Sequence, residues 1–197
     1  MKTKLFMFLA FAACTLILPK VAVAAINDQI IVMLEEPATN SVYSGVANIR
    51  GWAVAPAGIA RIELRIDGTF LTDIPTGGHR SDVGSQFPGY PNADQSGFSM
   101  AFNYSNLADG PHTIAIRAVD DNGDIMDTGT TFGVTGFDNP FVADPTEVSL
   151  QDANIADDGN RTIVINNLLV DGRHYAVQLS WRTATQGFAI TRIDRVQ

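Results

Sequence analysis

Cysteine and lysine are scarce in this chain, and each shortage excludes something. The 197 residues contain one cysteine, Cys14, and three lysines, Lys2, Lys4 and Lys20, all within the first 20 positions. A lone cysteine closes no intrachain disulfide, so stability must come from apolar burial. Histidine is sparse too: His79, His112 and His174 show no metal-ligand spacing among themselves. After Ala25 no segment sustains a helical period and no apolar run approaches the roughly 20 residues of a membrane-spanning helix. An all-helical fold and a helical membrane anchor in the mature chain are thereby set aside.

The first segment reads as an address. Lys2 and Lys4 give a positive start, residues 5–18 an apolar stretch, and Ala22-Val23-Ala24 a small-x-small cleavage site before Ala25. Residues 1–24 are therefore expected to be an export signal that is removed. Phe11-Ala12-Ala13-Cys14 leaves a lipid-anchored cysteine as the lesser alternative. Removal of the signal takes away every lysine and leaves ten arginines against 21 acidic residues, a net charge of −11. Such a field repels polyanions, and with no basic stripe to offset it nucleic-acid binding is not expected.

Alternation dominates the rest. Ile62, Leu64 and Ile66 alternate with Arg61, Glu63 and Arg65, the period of a strand with one buried and one wet face. Asp67-Gly68 follows as a two-residue hairpin turn that returns through residues 69–74. Further strands are predicted at 30–34 and 45–54, through Phe98, Met100, Phe102 and Tyr104 on one face, through Ile114, Ile116 and Ala118, and at 130–134 after the Asn122-Gly123 turn. About seven short strands with turn signals between them suit an antiparallel sandwich.

The residues of this region resemble a known family. Gly51-Trp52-Ala53, Asp67-Gly68, Arg80-x-Asp82-Val83, Phe87-Pro88-Gly89-Tyr90-Pro91-Asn92, Ser96-Gly97-Phe98, Asn103, Leu107, Gly110-x-His112 and Ala118-x-Asp120-x-x-Gly123 together look like a bacterial immunoglobulin-like domain over about residues 36–134. The resemblance implies an all-β, immunoglobulin-like sandwich of the kind found on secreted and cell-surface proteins, in contact with a glycan, a cell-wall component or another surface protein. It says little about which, because fold does not imply function. The expected organisation is a sandwich at 25–135, a linker at 136–147 containing Pro140 and Pro145, and a C-terminal antiparallel β-meander at 148–197. In the meander, strands are predicted at 148–154, 162–170, 175–181 and 188–193, with Asp171-Gly172 as a hairpin turn.

Four groups of residues are candidates for chemistry. Arg80, Asp82, Phe87 and Tyr90 lie in residues 75–96, a connection long enough to be a binding surface; the preferred reading is that the rings plug the sandwich edge while Arg80 and Asp82 fasten the loop. Asp120, Asn122 and Asp124, with Asp127 nearby, resemble the start of a calcium loop, so calcium is the one cofactor considered. Their spacing departs from the usual loop, and a polar hairpin turn is the preferred reading. Asp152, Asn154, Asp157 and Asp158 form a second, less regular acidic loop. Trp52 and Trp181 are either stacking platforms or core, and core is preferred because each lies in a strand.

Catalysis has little to stand on. Gly97-Phe98-Ser99-Met100-Ala101 approaches a nucleophile-elbow string, but that motif needs a strand-to-helix turn and Ser99 falls inside an alternating strand. His112 reads as a strand-end histidine with a hydrogen-bond partner. The expectation is an exported, non-enzymatic binding or adhesion module at the cell envelope or outside the cell, with a calcium-stabilised adhesin and a small secreted hydrolase as alternatives.

Overall fold

In the computed structural model the Arg61–Ile66 alternation becomes part of the fourth of nine strands between Ile31 and Val134. These are β1 (Ile31–Glu36), β2 (Val42–Tyr43), β3 (Val46–Val54), β4 (Ile59–Ile66), β5 (Thr69–Asp73), β6 (Thr76–Gly78), β7 (Gly97–Asn103), β8 (Gly110–Asp120) and β9 (Ile125–Val134), with one short helix, α1 (Ser81–Gln86). The structure describes residues 29–157, 159–183 and 185–196. The predicted signal at 1–24, with Cys14, and Asp158 of the second acidic loop lie outside the described residues.

The strands form two sheets, ordered β1-β3-β7-β6 and β2-β9-β8-β4-β5. All pairings are antiparallel except β2 with β9, which is parallel. Ile62, Leu64 and Ile66 of β4, Ile114 and Ile116 of β8, Phe132 of β9 and Ile49 of β3 are buried between the sheets. Each such side chain contributes about 1.5–3 kcal/mol of apolar burial. On the outer face Arg61 bonds Glu63 at 2.7 and 2.9 Å and Arg65 reaches its other oxygen at 3.4 Å. Glu63 is thus covered by its neighbours on the strand, not turned into the core.

Phe98 of β7 and Tyr104, in the turn just after the strand, close the core, and Met100 and Phe102 of β7 pack against it. Tyr104 stacks on Tyr43 at 4.6 Å, meets Phe132 edge-on at 5.4 Å and donates its hydroxyl to the Asn48 carbonyl at 3.2 Å. Burial pushes its phenol pKa above the ordinary 10. Gly51 is the closest approach in the sheet: a Cβ there would lie 2.0 Å from the Met33 carbonyl oxygen and 2.5 Å from the Phe98 ring. Only a residue without a side chain fits between β1 and that ring.

A third sheet, five-stranded and antiparallel, follows, built from β10 (Val148–Ser149), β11 (Asn154–Asp157), β12 (Thr162–Val170), β13 (Arg173–Arg182) and β14 (Gly187–Arg195). Its order is β10-β12-β13-β14, and β11 also pairs with β12. Two expectations are corrected here. The single strand predicted at 148–154 is two strands, because β12 bulges between Ile165 and Leu168, with Asn167 at φ 58°. β10 pairs beyond the bulge and β11 before it, and the Asn167 amide donates to the Asp152 carbonyl at 3.0 Å across the gap. Asn154 and Asp157 of the predicted acidic loop therefore sit in a strand.

Leu168, Val170, Tyr175 and Val177 form the small core of this sheet, and Phe137 and Val142, from the segment predicted as a linker, pack onto it. No helix among the described residues is long and apolar enough to cross a membrane.

Candidate binding site

The connection at 75–96 folds back on the sandwich edge. Arg80 grips Asp82 in a two-pronged pair at 2.7 and 2.9 Å, reaches Glu35 on β1 at 3.0 Å and lies 6.0 Å from the centre of the Trp52 ring. The guanidinium holds the exposed Asp82 carboxyl down to about 2, and the two carboxylates raise Arg80 against the cost of its burial. Phe87 sits 5.6 Å from Trp52 and 5.7 Å from Tyr90. Tyr90 is buried with Val54, Val83 and Ala93, and its hydroxyl donates to the Gln29 carbonyl at 3.4 Å. The structure thus brings Arg80, Asp82, Phe87 and Tyr90 together, with the ion pair and the rings engaged in fastening the loop.

The β8–β9 turn is organised by one carboxylate. Asp120, itself buried, accepts the backbone N–H groups of Asn122 and Asp124, each at 2.9 Å, on one oxygen. Asp127 is held by Arg117 in a two-pronged pair at 2.8 Å, and that guanidinium lowers its carboxyl pKa. Among the described residues no group of three or more His, Cys, Asp or Glu side chains could hold a metal ion.

His112 has the partner its position predicts. Nδ1 lies 2.7 Å from Asp67 and Nε2 2.7 Å from the Ala108 carbonyl. Both neighbours are acceptors, a setting that favours the doubly protonated ring. Neither nitrogen is left to act as a base toward Ser99, which is exposed on β7.

A further concavity lies where the sandwich meets the C-terminal sheet. Glu36, Tyr43, Ser44, Val46, Ala47 and Asn48 form one wall, and Arg182, Thr185, Phe188, Ala189 and Ile190 the other, around about 510 Å³. The β13–β14 hairpin projects Arg182 across the junction: its guanidinium lies 4.7 Å from the Tyr43 ring centre and donates to the Val42 carbonyl. Phe188 pairs across the strands with Trp181, ring centres 5.3 Å apart and nearly perpendicular. Both rings are open to solvent, Trp181 at 38% and Phe188 at 48%.

The preferred core reading of Trp181 is therefore corrected. Its alternation with Tyr175, Val177 and Leu179 is real, but the small core ends before the strand does. Trp52, by contrast, packs into the Tyr90 cluster. The Trp181–Phe188 pair was visible in the sequence only as two aromatics flanking a turn, and the groove itself depends on how two modules meet.

Residues 31–116 match the family model described as a bacterial Ig domain. No curated protein matches the chain. Similar solved structures include an endo-β-1,4-mannanase from Thermotoga petrophila, with a TM-score of 0.45 at 6% identity over 58% of this chain. This chain spans 22% of that enzyme. The fibronectin(III)-like modules of Clostridium thermocellum CbhA match at 18% identity and a TM-score of 0.32, over 53% of this chain and 93% of theirs. SGBP-B of the Bacteroides ovatus mixed-linkage glucan utilization locus, solved with a mixed-linkage heptasaccharide, matches at 8% identity and a TM-score of 0.32, over 87% of this chain and 48% of its own.

Proposed function

We propose that this is an exported, non-enzymatic binding module that works at the cell envelope or outside the cell, and that its ligand sits in the groove between the Ig sandwich and the C-terminal sheet. The observation that carries this reading is the half-open Trp181–Phe188 pair at a groove lined by side chains of both modules. Elsewhere the distinctive side chains have structural partners: Arg80 with Asp82, Arg117 with Asp127, and His112 with Asp67. An aromatic pair left in water has no such partner, and interface aromatics with one apolar and one wet side are the usual anchors of recognition. A glycan, a wall component and a surface protein are the ligand classes in view.

The test is retention of the immobilised full chain on bacterial envelope extract. Trp181→Ala and Phe188→Ala are expected to lose retention, and Asp82→Asn, at the edge loop, to keep it. The reverse pattern would move the site to Arg80, Asp82, Phe87 and Tyr90 and refute the groove.

A further inference from the structure

We infer that the occupant of this groove is a neutral oligosaccharide. This rests on the reading of the groove as the binding site and adds the chemistry of what enters it. A sugar ring is polyhydroxylated at its rim and carries C–H groups on its faces, so it needs an exposed aromatic face beside planar hydrogen-bonding groups. The groove offers both. Phe188 lines it and Trp181 flanks Phe188, each ring about half open. Around them stand the Glu36 carboxylate, the Asn48 amide and the hydroxyls of Ser44 and Thr185.

The polar groups are held ready. Arg50 fixes both oxygens of Glu36, at 3.3 and 3.4 Å, leaving further acceptor lone pairs on the carboxylate. The Asn48 amide makes no bond to any other described residue and keeps two donors and an acceptor. Volume agrees, because about 510 Å³ falls within the range of small-ligand sites. A docked apolar helix or strand would want a continuous apolar floor. Here Val46, Ala47, Ala189 and Ile190 are interleaved with Glu36, Ser44, Asn48, Arg182 and Thr185.

Charge selects a neutral sugar over an acidic one. Arg182 is already committed to the Val42 carbonyl and the Tyr43 ring, and Arg50 to Glu36. Among the described residues no unengaged cation remains in the groove wall to hold a uronate, and the acidic chain as a whole repels a polyanion.

The chain has two tryptophans, so Trp52→Phe leaves Trp181 as the sole indole reporter. This variant is titrated with cellohexaose, xylohexaose, mannohexaose and chitohexaose, and with hexagalacturonate as the acidic control. Saturable change of Trp181 emission with at least one neutral sugar is expected, with a weaker response or none to hexagalacturonate. In calorimetry on the otherwise unaltered chain, Phe188→Ala and Asn48→Ala should each weaken that sugar by about tenfold or more. Phe188→Tyr, which keeps the ring, should retain most of the affinity and guards against loss of fold.

No response to any of the four neutral sugars overturns the inference, as does preference for hexagalacturonate or affinity indifferent to Phe188 and Asn48. Envelope retention separates this failure from that of the underlying reading. Retention that needs Phe188 but survives periodate oxidation of the envelope sugars would sink the oligosaccharide and leave the groove. Retention that ignores Phe188 would sink both.

Discussion

His112 is a single residue whose charged form is favoured by the groups around it. Asp67 and the Ala108 carbonyl both accept from it, and it stacks on Phe132 at 5.7 Å. Burial works against the charge, but the Ala108 and Asp67 bonds outweigh it and raise the pKa above the ordinary 6.5. Asp67 is lowered below 3.8, chiefly by the Thr113 N–H and then by His112. A raised histidine stabilises the fold fully below its unfolded pKa of 6.5, and that contribution fades as pH climbs through the folded value. The lowered Asp67 contributes above 3.8 and fades as pH falls.

His112→Gln is therefore expected to cost about 1–2 kcal/mol in urea unfolding near pH 5.5 and distinctly less near pH 9. A penalty independent of pH would mean that the ring acts by packing alone. The turn that presents Asp67 was legible from its residues, since Asp67 and Gly68 adopt φ of 48° and 79° as a two-residue hairpin demands. The identity of the histidine's partner was not, because 45 residues separate the two.

Elements show the same division between local and distant causes. Alternation set residues 61–66 of β4, and the strand predicted at 162–170 coincides with β12 at Thr162–Val170. The run could not reveal the bulge at Asn167 in β12, since a bulge is one residue in a stretch that otherwise reads as one strand. Likewise β6 and α1, of three and six residues, are too short to carry a period, and tertiary packing of Val83 decides that α1 forms.

The β8–β9 turn illustrates how one polar string admits two structures. Asp120, Asn122 and Asp124 suit a cation on paper, but an Asp120 oxygen is used on two backbone N–H groups and Arg117 holds Asp127. Millimolar calcium or a chelator is thus expected to leave the melting midpoint unchanged, whereas Asp120→Ala should cost about 1–3 kcal/mol for the freed N–H groups. A rise of several degrees on adding calcium would show that these oxygens do gather around an ion.

For the whole molecule, the question is how two unequal cores share one chain. The sandwich buries a large set including Phe98, Tyr104, Phe132, Ile62 and Leu64, while the C-terminal sheet buries Leu168, Val170, Tyr175 and Val177. A sheet with so small a core is marginal by itself. It borrows Phe137, whose ring meets Tyr175 edge-on at 5.0 Å, and Val142 from the junction segment. It also leans on the sandwich through Arg182 to Val42 and through the Ile193 N–H to Thr135 at 3.0 Å.

These ties are few and mostly polar, the kind of interface across which modules unfold separately. Calorimetry should then resolve two transitions, with the C-terminal sheet melting first. Phe137→Ala removes a ring that is only partly buried, so it should weaken the first transition by about 2–3 kcal/mol and leave the second in place. Arg182→Ala acts on the junction itself and should lower the first transition less. If Phe137→Ala instead displaced a single shared transition, the sheet and the sandwich would be one cooperative body, and the groove between them would be a fixed wall of the fold instead of a seam between modules.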